Sequence, residues 1–258
     1  MVLREGGENS VNDARKAFVE QYKDFRVDVP EGSHMLTEVR RKTMSKLDAK
    51  VSNIMGYVTK TGRFAFPGTY TQLVYYGKNG NPYDEIIMMT DHHCEVADHE
   101  PIVTYARENA PLDHVLINGL GLGVAIELLM PYVKKITNIE ISSSVIKLVG
   151  SHYQARYGNR LEIIQHDALT YQPPKGIRYN AVFHDIWYTI SHEHLPQMKE
   201  LHRKYGRICD WQQSWARVYC ERELRKRKRH PEQYENEVDV RELFSSINTI
   251  FSQTMEER

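Results

Sequence analysis

Between Val115 and Glu140 the chain reads VLINGLGLGVAIELLMPYVKKITNIE. An apolar run meets three alternating glycines, Gly119, Gly121 and Gly123, then a helical pattern, then a second apolar run that closes on an acid. A strand that passes through a glycine turn into a helix, and on to another strand, sets the two strands parallel with the helix as a right-handed crossover. The same alternation continues through SSSVIKLVGSHYQAR as helix, LEIIQHDA as strand and YNAVFHDIW as strand. These strand segments are short and largely apolar, as strands covered on both faces should be. The expected fold is α/β: a Rossmann-like doubly wound sheet.

Around this core the patterning changes. Asn79-Gly80 is a two-residue hairpin signal between β-rich arms, predicted as paired strands over Tyr70–Tyr76 and Glu85–Thr90. A helix is expected from about Asp98 to Asn109. Residues 1 to about 60 read as polar and helical, with a basic helix around Leu36–Met55. Past the core, Leu195, Met198, Leu201 and Tyr205 step at helical spacing; so do Ile208, Trp211, Trp215 and Val218, and the stripe from Val240 to Phe251. The organisation predicted is an N-terminal helical segment (1–65), a β-hairpin region (66–95), the Rossmann-like core (96–192) and a helical C-terminal extension (193–258).

The 258 residues carry 34 Lys and Arg against 34 Asp and Glu, so no global field draws the molecule to a polyanion or a membrane. No apolar run approaches a membrane span, and MVLREGGENS lacks the apolar core of a secretory signal. Three widely spaced cysteines, Cys94, Cys209 and Cys220, form neither a zinc spacing nor a disulfide framework, and a cytoplasmic setting is expected.

The glycine turn has a chemical meaning. Glycines let a ligand approach the backbone, and the helix start beyond them offers free N–H groups. An acid at the end of the second strand can accept two ribose hydroxyls. Glu140 stands 21 positions after Gly119, at the spacing this requires. G-x-G-x-G lacks the third glycine of a pyrophosphate turn, which favours an adenosyl ligand without phosphates, S-adenosylmethionine foremost. Asp167, 27 positions after Glu140, can accept the adenine amino group while Ala168 leaves room for the ring. Asp185, in AVFHDIW, falls at the carboxyl edge of the fourth strand, where open α/β sheets bind ligands. As an alternating strand residue, His184 is expected to face away.

These residues together resemble the class I S-adenosylmethionine-dependent methyltransferase superfamily, and most nearly its spermidine-synthase-like branch, over about residues 70–190. The resemblance implies that Gly119, Gly121 and Gly123 line the ligand, that Glu140 holds ribose and Asp167 adenine, and that Asp185 is the catalytic aspartate. It implies S-adenosylmethionine or its decarboxylated form as cofactor. The chain departs from that branch at Tyr188, where a second aspartate would help to hold a diamine.

TDHHCEVADHE, from Thr90 to Glu100, is the densest titratable stretch, and Asp91 and Glu95 are its preferred members for a general base or a contact with a cationic acceptor. His92, His93, Asp98 and His99 belong to the same set, and no metal site is assigned. Trp211 and Trp215 are expected as core. The run RELRKRKRH supplies Arg225–Arg229 for nucleic acid, against a solvated helix face. The expected activity is an S-adenosylmethionine-dependent transferase, a methyltransferase first, with a small-molecule acceptor, no membrane and a homodimer as candidate assembly. Aminopropyl transfer, donor cleavage and a non-catalytic binding protein for an adenosyl ligand or nucleic acid are the alternatives.

Overall fold

The computed structural model describes residues 17–51, 66–77 and 85–231. The Asn79-Gly80 turn, the stripe from Val240 to Phe251 and most of the first fifty-odd residues' flanks, 1–16 and 52–65, lie outside them. Among the described residues there are two sheets.

The larger sheet is the one the glycine stretch demands. Its strands are β5 (Leu112–Asn118), β6 (Val133–Glu140), β7 (Leu161–Gln165), β8 (Tyr179–His184) and β9 (Cys209–Ser214), in the order β7-β6-β5-β8-β9. Every pairing is parallel. The order reverses at β5, so the chain's crossovers pass to opposite sides of the sheet, and the doubly wound α/β architecture is realised. Val115, Leu116 and Ile117 of β5 are fully buried. Covering each such side chain contributes roughly 2 kcal/mol.

The crossovers are helical: α3 (Val124–Leu129) joins β5 to β6, and α4 joins β6 to β7. Helix α4 comprises Ser143–Val145 and Ser151–Tyr157 with a π-helical turn, Ile146–Gly150, between them. The short α1 (His93–Ala97) and α2 (Glu100–Glu108) precede β5. Helices α5 (Leu195–Tyr205) and α6 (Arg217–Arg229) flank β9.

The smaller sheet is antiparallel, in the order β1-β2-β3-β4: Gly32–His34, Thr37–Met44, Gly68–Tyr76 and Glu85–Thr90. The predicted hairpin arms are therefore present, and two further strands join them. This corrects the basic helix expected around Leu36–Met55: residues 37–44 are strand, and among the described residues of that stretch only 46–51 are helical. The basic side chains serve the sheet instead. Arg40 forks onto both oxygens of Glu85 across the strands (2.9 Å each), and Arg41 donates to the carbonyls of Val27 and Val29.

The second correction concerns Ile208, Trp211, Trp215 and Val218. Residues 209–214 form β9, a polar edge strand, and only from Arg217 does a helix run. Trp211 stacks on Tyr105 of α2 at 5.2 Å between centroids and 16° between planes, so its burial comes from a tertiary partner.

Asp91, expected as a site residue, holds this assembly together. Its carboxylate is fully buried and accepts from the Val27 N–H (3.1 Å), the Thr71 N–H (2.7 Å) and the Thr71 hydroxyl (2.7 Å). Burial pushes its pKa up, and those three donors partly offset the shift. We expect Asp91→Ala to lower unfolding free energy by about 3 kcal/mol, because it strands buried donors in two segments. Urea denaturation measures the loss, and an unchanged midpoint would contradict the role.

Candidate functional site

Gly119 and Asp185 follow β5 and β8 directly, at the point where the strand order reverses. Their backbones touch there. The Asp185 N–H donates to the Asn118 carbonyl at 2.7 Å, and a Cβ on Gly119 would fall 1.9 Å from the Asp185 carbonyl oxygen. Gly119 has φ +98°, a left-handed value that glycine accepts readily. Beside this crossing opens a cavity of about 380 Å³.

Of the residues predicted from sequence, Gly119, Gly121, Glu140, Asp167, Ala168, Asp185 and Glu95 line the cavity. Gly123 and Asp91 do not. Gly123 caps α3 at φ +76°, and a Cβ there would lie 2.0 Å from the ring of Tyr153, so its missing side chain makes room for packing. Asp91 is committed to Val27 and Thr71, as described.

Glu140 is buried, and each oxygen already accepts one backbone N–H: Oε2 from Leu120 (2.9 Å) and Oε1 from Ser142 (2.7 Å). Burial raises its pKa, and these donors pull the other way. A carboxylate oxygen has a second lone pair, so the same group that ties the glycine loop to β6 can still accept from a ligand. Asp167 Oδ1 accepts the Leu169 N–H at 2.8 Å. The loop beyond it is held by Lys204 of α5, whose ammonium donates to the carbonyls of Ala168, Leu169 and Tyr171. Desolvation lowers the pKa of Lys204.

The rest of the cavity wall comes largely from residues that the sequence did not assign to a site. Met88 and Met89 of β4 reach into the cavity, and the Leu122 N–H donates to Met89 Sδ at 3.2 Å. The Met89 sulfur lies where a Cβ on Gly121 would be, 2.5 Å away. Trp187, Tyr188, Gln197 and Trp215 complete the wall, with the Trp187 indole N–H donating to Gln197 Oε1 at 2.8 Å. Trp215 was read as one face of a helix; it enters the cavity because β9 ends just before it.

His99, one of the titratable set but not a preferred member, also lines the cavity. Its ring is 1% exposed, and its Nε2 lies 3.4 Å from Asp185 Oδ2. Nδ1 donates to the Glu95 carbonyl at 2.9 Å. Burial pulls the ring's pKa down, but the Asp185 carboxylate, the Glu95 carbonyl and Asp98 outweigh it, so the net shift is upward. His184 does face away: it is fully buried, its Nδ1 meets the Asn118 amide at 2.8 Å, and burial pushes it down to about 3.

His92, His93 and Cys94 gather donor atoms within 4.8 Å of one another. Both ring nitrogens of His92, however, face backbone N–H groups, of Phe66 and Cys94, which turns them away from an ion. Helix α6 lies outside the cavity lining. Arg217 pairs with Glu221 and Arg227 with Glu223, while Arg222, Arg225, Lys226, Lys228 and Arg229 are exposed. No helix among the described residues is long and apolar enough to cross a membrane.

No family model matches the chain, and no curated protein sequence does. Solved structures do. The N-methyltransferase NodS from Bradyrhizobium japonicum WM9 is 15% identical, over 43% of this chain and 60% of that one, with a TM-score of 0.36. A putative RNA methyltransferase, PH1948, from Pyrococcus horikoshii is 12% identical over 52% and 63%, with a TM-score of 0.39. An S-adenosylmethionine-dependent methyltransferase from Clostridium acetobutylicum ATCC 824 is 12% identical over 62% and 52%, with a TM-score of 0.36. The chain spans less than two thirds of the length of each.

The crossing at Gly119 can be tested. Gly119→Ala is expected to cost more than about 2 kcal/mol, since the new methyl must push the Asp185 backbone away. Gly176→Ala, at φ +81° with open space around it, should cost only the strain of a left-handed alanine, about 1 kcal/mol. Equal losses in thermal melts of the two variants would contradict the close approach.

Proposed function

We propose that the chain is an S-adenosylmethionine-dependent methyltransferase acting on a small-molecule acceptor. One observation carries the reading: among the described residues the cavity is lined by four carboxylates, Glu95, Glu140, Asp167 and Asp185, and by no lysine or arginine. Such a site repels a pyrophosphate and favours a cation. When bound, S-adenosylmethionine supplies an electrophilic methyl carbon on a positively charged sulfur.

The residues present fit that group. At Gly121 only the flexible Met89 chain occupies the side-chain space and it can yield to a ligand, while the missing side chain of Gly119 lets the Asp185 backbone close onto the loop. Glu140 keeps lone pairs for ribose hydroxyls, Asp167 for an adenine amino group, and the small Ala168 beside it leaves space for the ring. Asp185 lines the same cavity at the end of β8 and would orient an acceptor for in-line attack. Most of the rate of such a transfer comes from holding the reactants in line. Tyr188, half-exposed at the rim where a second carboxylate would hold a diamine, weighs against aminopropyl transfer.

The test is incubation with S-adenosylmethionine and a pool of cell metabolites, followed by mass spectrometry. Acceptor-dependent S-adenosylhomocysteine is the expected product. Methylthioadenosine without acceptor would instead mean donor cleavage, and an untouched, unbound donor would refute the reading. Asp185→Asn should lower turnover at least ~100-fold while donor binding stays measurable. Glu140→Ala should weaken donor binding at least ~tenfold by calorimetry.

A nucleic-acid acceptor is the second reading, favoured by the exposed Arg225, Lys226, Lys228 and Arg229 of α6. Replacing Lys226, Arg227 and Lys228 by Gln leaves the KM of a small acceptor unchanged. For a nucleic acid the same change raises it and flattens its salt dependence.

A further inference from the structure

We propose that His99 and Asp185 act as one proton-storing pair, which gives up its proton when a sulfonium enters the cavity and takes one back from the acceptor during transfer. The inference rests on the methyltransferase reading above and adds a residue and a proton to it.

The geometry fixes the tautomer first. Nδ1 of His99 faces a backbone carbonyl, that of Glu95 at 2.9 Å, and a carbonyl can only accept, so Nδ1 carries a hydrogen. Nε2 is buried, has no closer polar partner, and points at Asp185 Oδ2 across 3.4 Å. With a neutral ring, the lone pair of a buried nitrogen would face a carboxylate oxygen. The arrangement is favourable only with a second proton between them, as an imidazolium beside a carboxylate. Every ionisable neighbour except one favours that state. The Glu95 backbone carbonyl from α1 and the Asp98 carboxylate from the turn after it favour the charged ring, and Asp185 comes from the end of β8. Glu140 and Asp167 stand in the same cavity lining, and His166 is the one other basic group there. From β8 the ring otherwise meets Phe183, at 5.5 Å between centroids.

A positive ligand changes the balance. A sulfonium bound in the cavity would share it with the His99 ring, and two cations in one half-enclosed space repel. Deprotonating His99 removes the repulsion and leaves Asp185 anionic, which then neutralises the sulfonium. The released proton goes to water through the open side of the cavity. His99 now presents a free Nε2 lone pair beside Asp185. The pair accepts the proton that the acceptor nitrogen or oxygen loses, as the acceptor's lone pair forms the bond to the methyl carbon and the carbon–sulfur electrons return to sulfur. The thioether left behind is neutral, so the protonated pair is again the stable state.

The sign of the pH effect follows. Because the pair must lose a proton for the cation to bind, affinity for S-adenosylmethionine falls as pH drops below the titration of the free pair, by up to about tenfold per pH unit. S-adenosylhomocysteine has the same adenosyl and amino-acid groups without the positive sulfur, and its affinity should stay flat over that range.

The experiment is isothermal titration of the wild-type chain with each ligand, in buffers of differing ionisation enthalpy over about pH 6 to 9. The pH dependence of the heats counts protons. We expect up to about one proton released per S-adenosylmethionine and close to none per S-adenosylhomocysteine. In Asp185→Asn and in His99→Gln the difference between the ligands should vanish, and Asp185→Asn keeps the packing if His99→Gln does not fold. Equal proton counts for the two ligands, or a difference that survives in both variants, overturns the pair while leaving the methyltransferase reading intact. Failure of both ligands to bind overturns that reading and the pair with it.

Discussion

Everything at the ligand end of the parallel sheet depends on how closely β5 and β8 approach as they leave it. The Asp185 N–H reaches the Asn118 carbonyl, and the next carbonyl passes where a side chain on Gly119 would be. An alanine at that position would force the strand ends apart, and the carboxylate of Asp185 would move with them. Because the contact is made by backbone, it is rigid. That rigidity lets one aspartate face the glycine loop on one side and His99 on the other. The remaining residues serve this junction: Glu140 ties the loop to β6, and Tyr153 fills the space behind Gly123.

The second sheet completes the enclosure. Its strand β4 brings Met88 and Met89 over the loop, and Asp91 just beyond fixes that strand to the segment around Val27. A methionine suits this place. Its thioether is a weak acceptor on a flexible chain, so it can cover the Leu122 N–H and still yield to a ligand. A short polar side chain there would hold the N–H more firmly and would compete with whatever binds.

The parallel core was legible because its signals are local. Apolar runs, three glycines and acids at strand ends sit within a few residues of one another, and each has a physical reason to be where it is. The hairpin arms were legible for the same reason. What failed had its cause elsewhere in the chain. Thr37–Met44 carries Arg40, half-buried, and the exposed Arg41 and Lys42, which read as a helix face until β3 supplies a partner. Cys209–Ser214 is a polar edge strand stabilised by pairing with β8 and by Tyr105 on Trp211. Asp91 looked chemical because titratable residues crowd around it, yet its partners Val27 and Thr71 are 64 and 20 positions away. His99 stood in the same crowd, and only its distance to a residue 86 positions later separates it from its neighbours (185 − 99).

A net charge of zero conceals a strong separation. Four carboxylates line the cavity, while the densest run of cations lies on the outer face of α6. A cavity of that sign attracts a cation, and under the proposed methyltransferase reading the charge that favours entry of a sulfonium does not oppose departure of a neutral thioether. The same field is costly without a cation, because like charges crowd a half-buried space. A protonated His99 relieves part of that cost in the empty site. Under the proposed proton-storing pair, discarding that proton as a sulfonium arrives exchanges one positive charge for another, and the cavity's charge is nearly the same before binding and after.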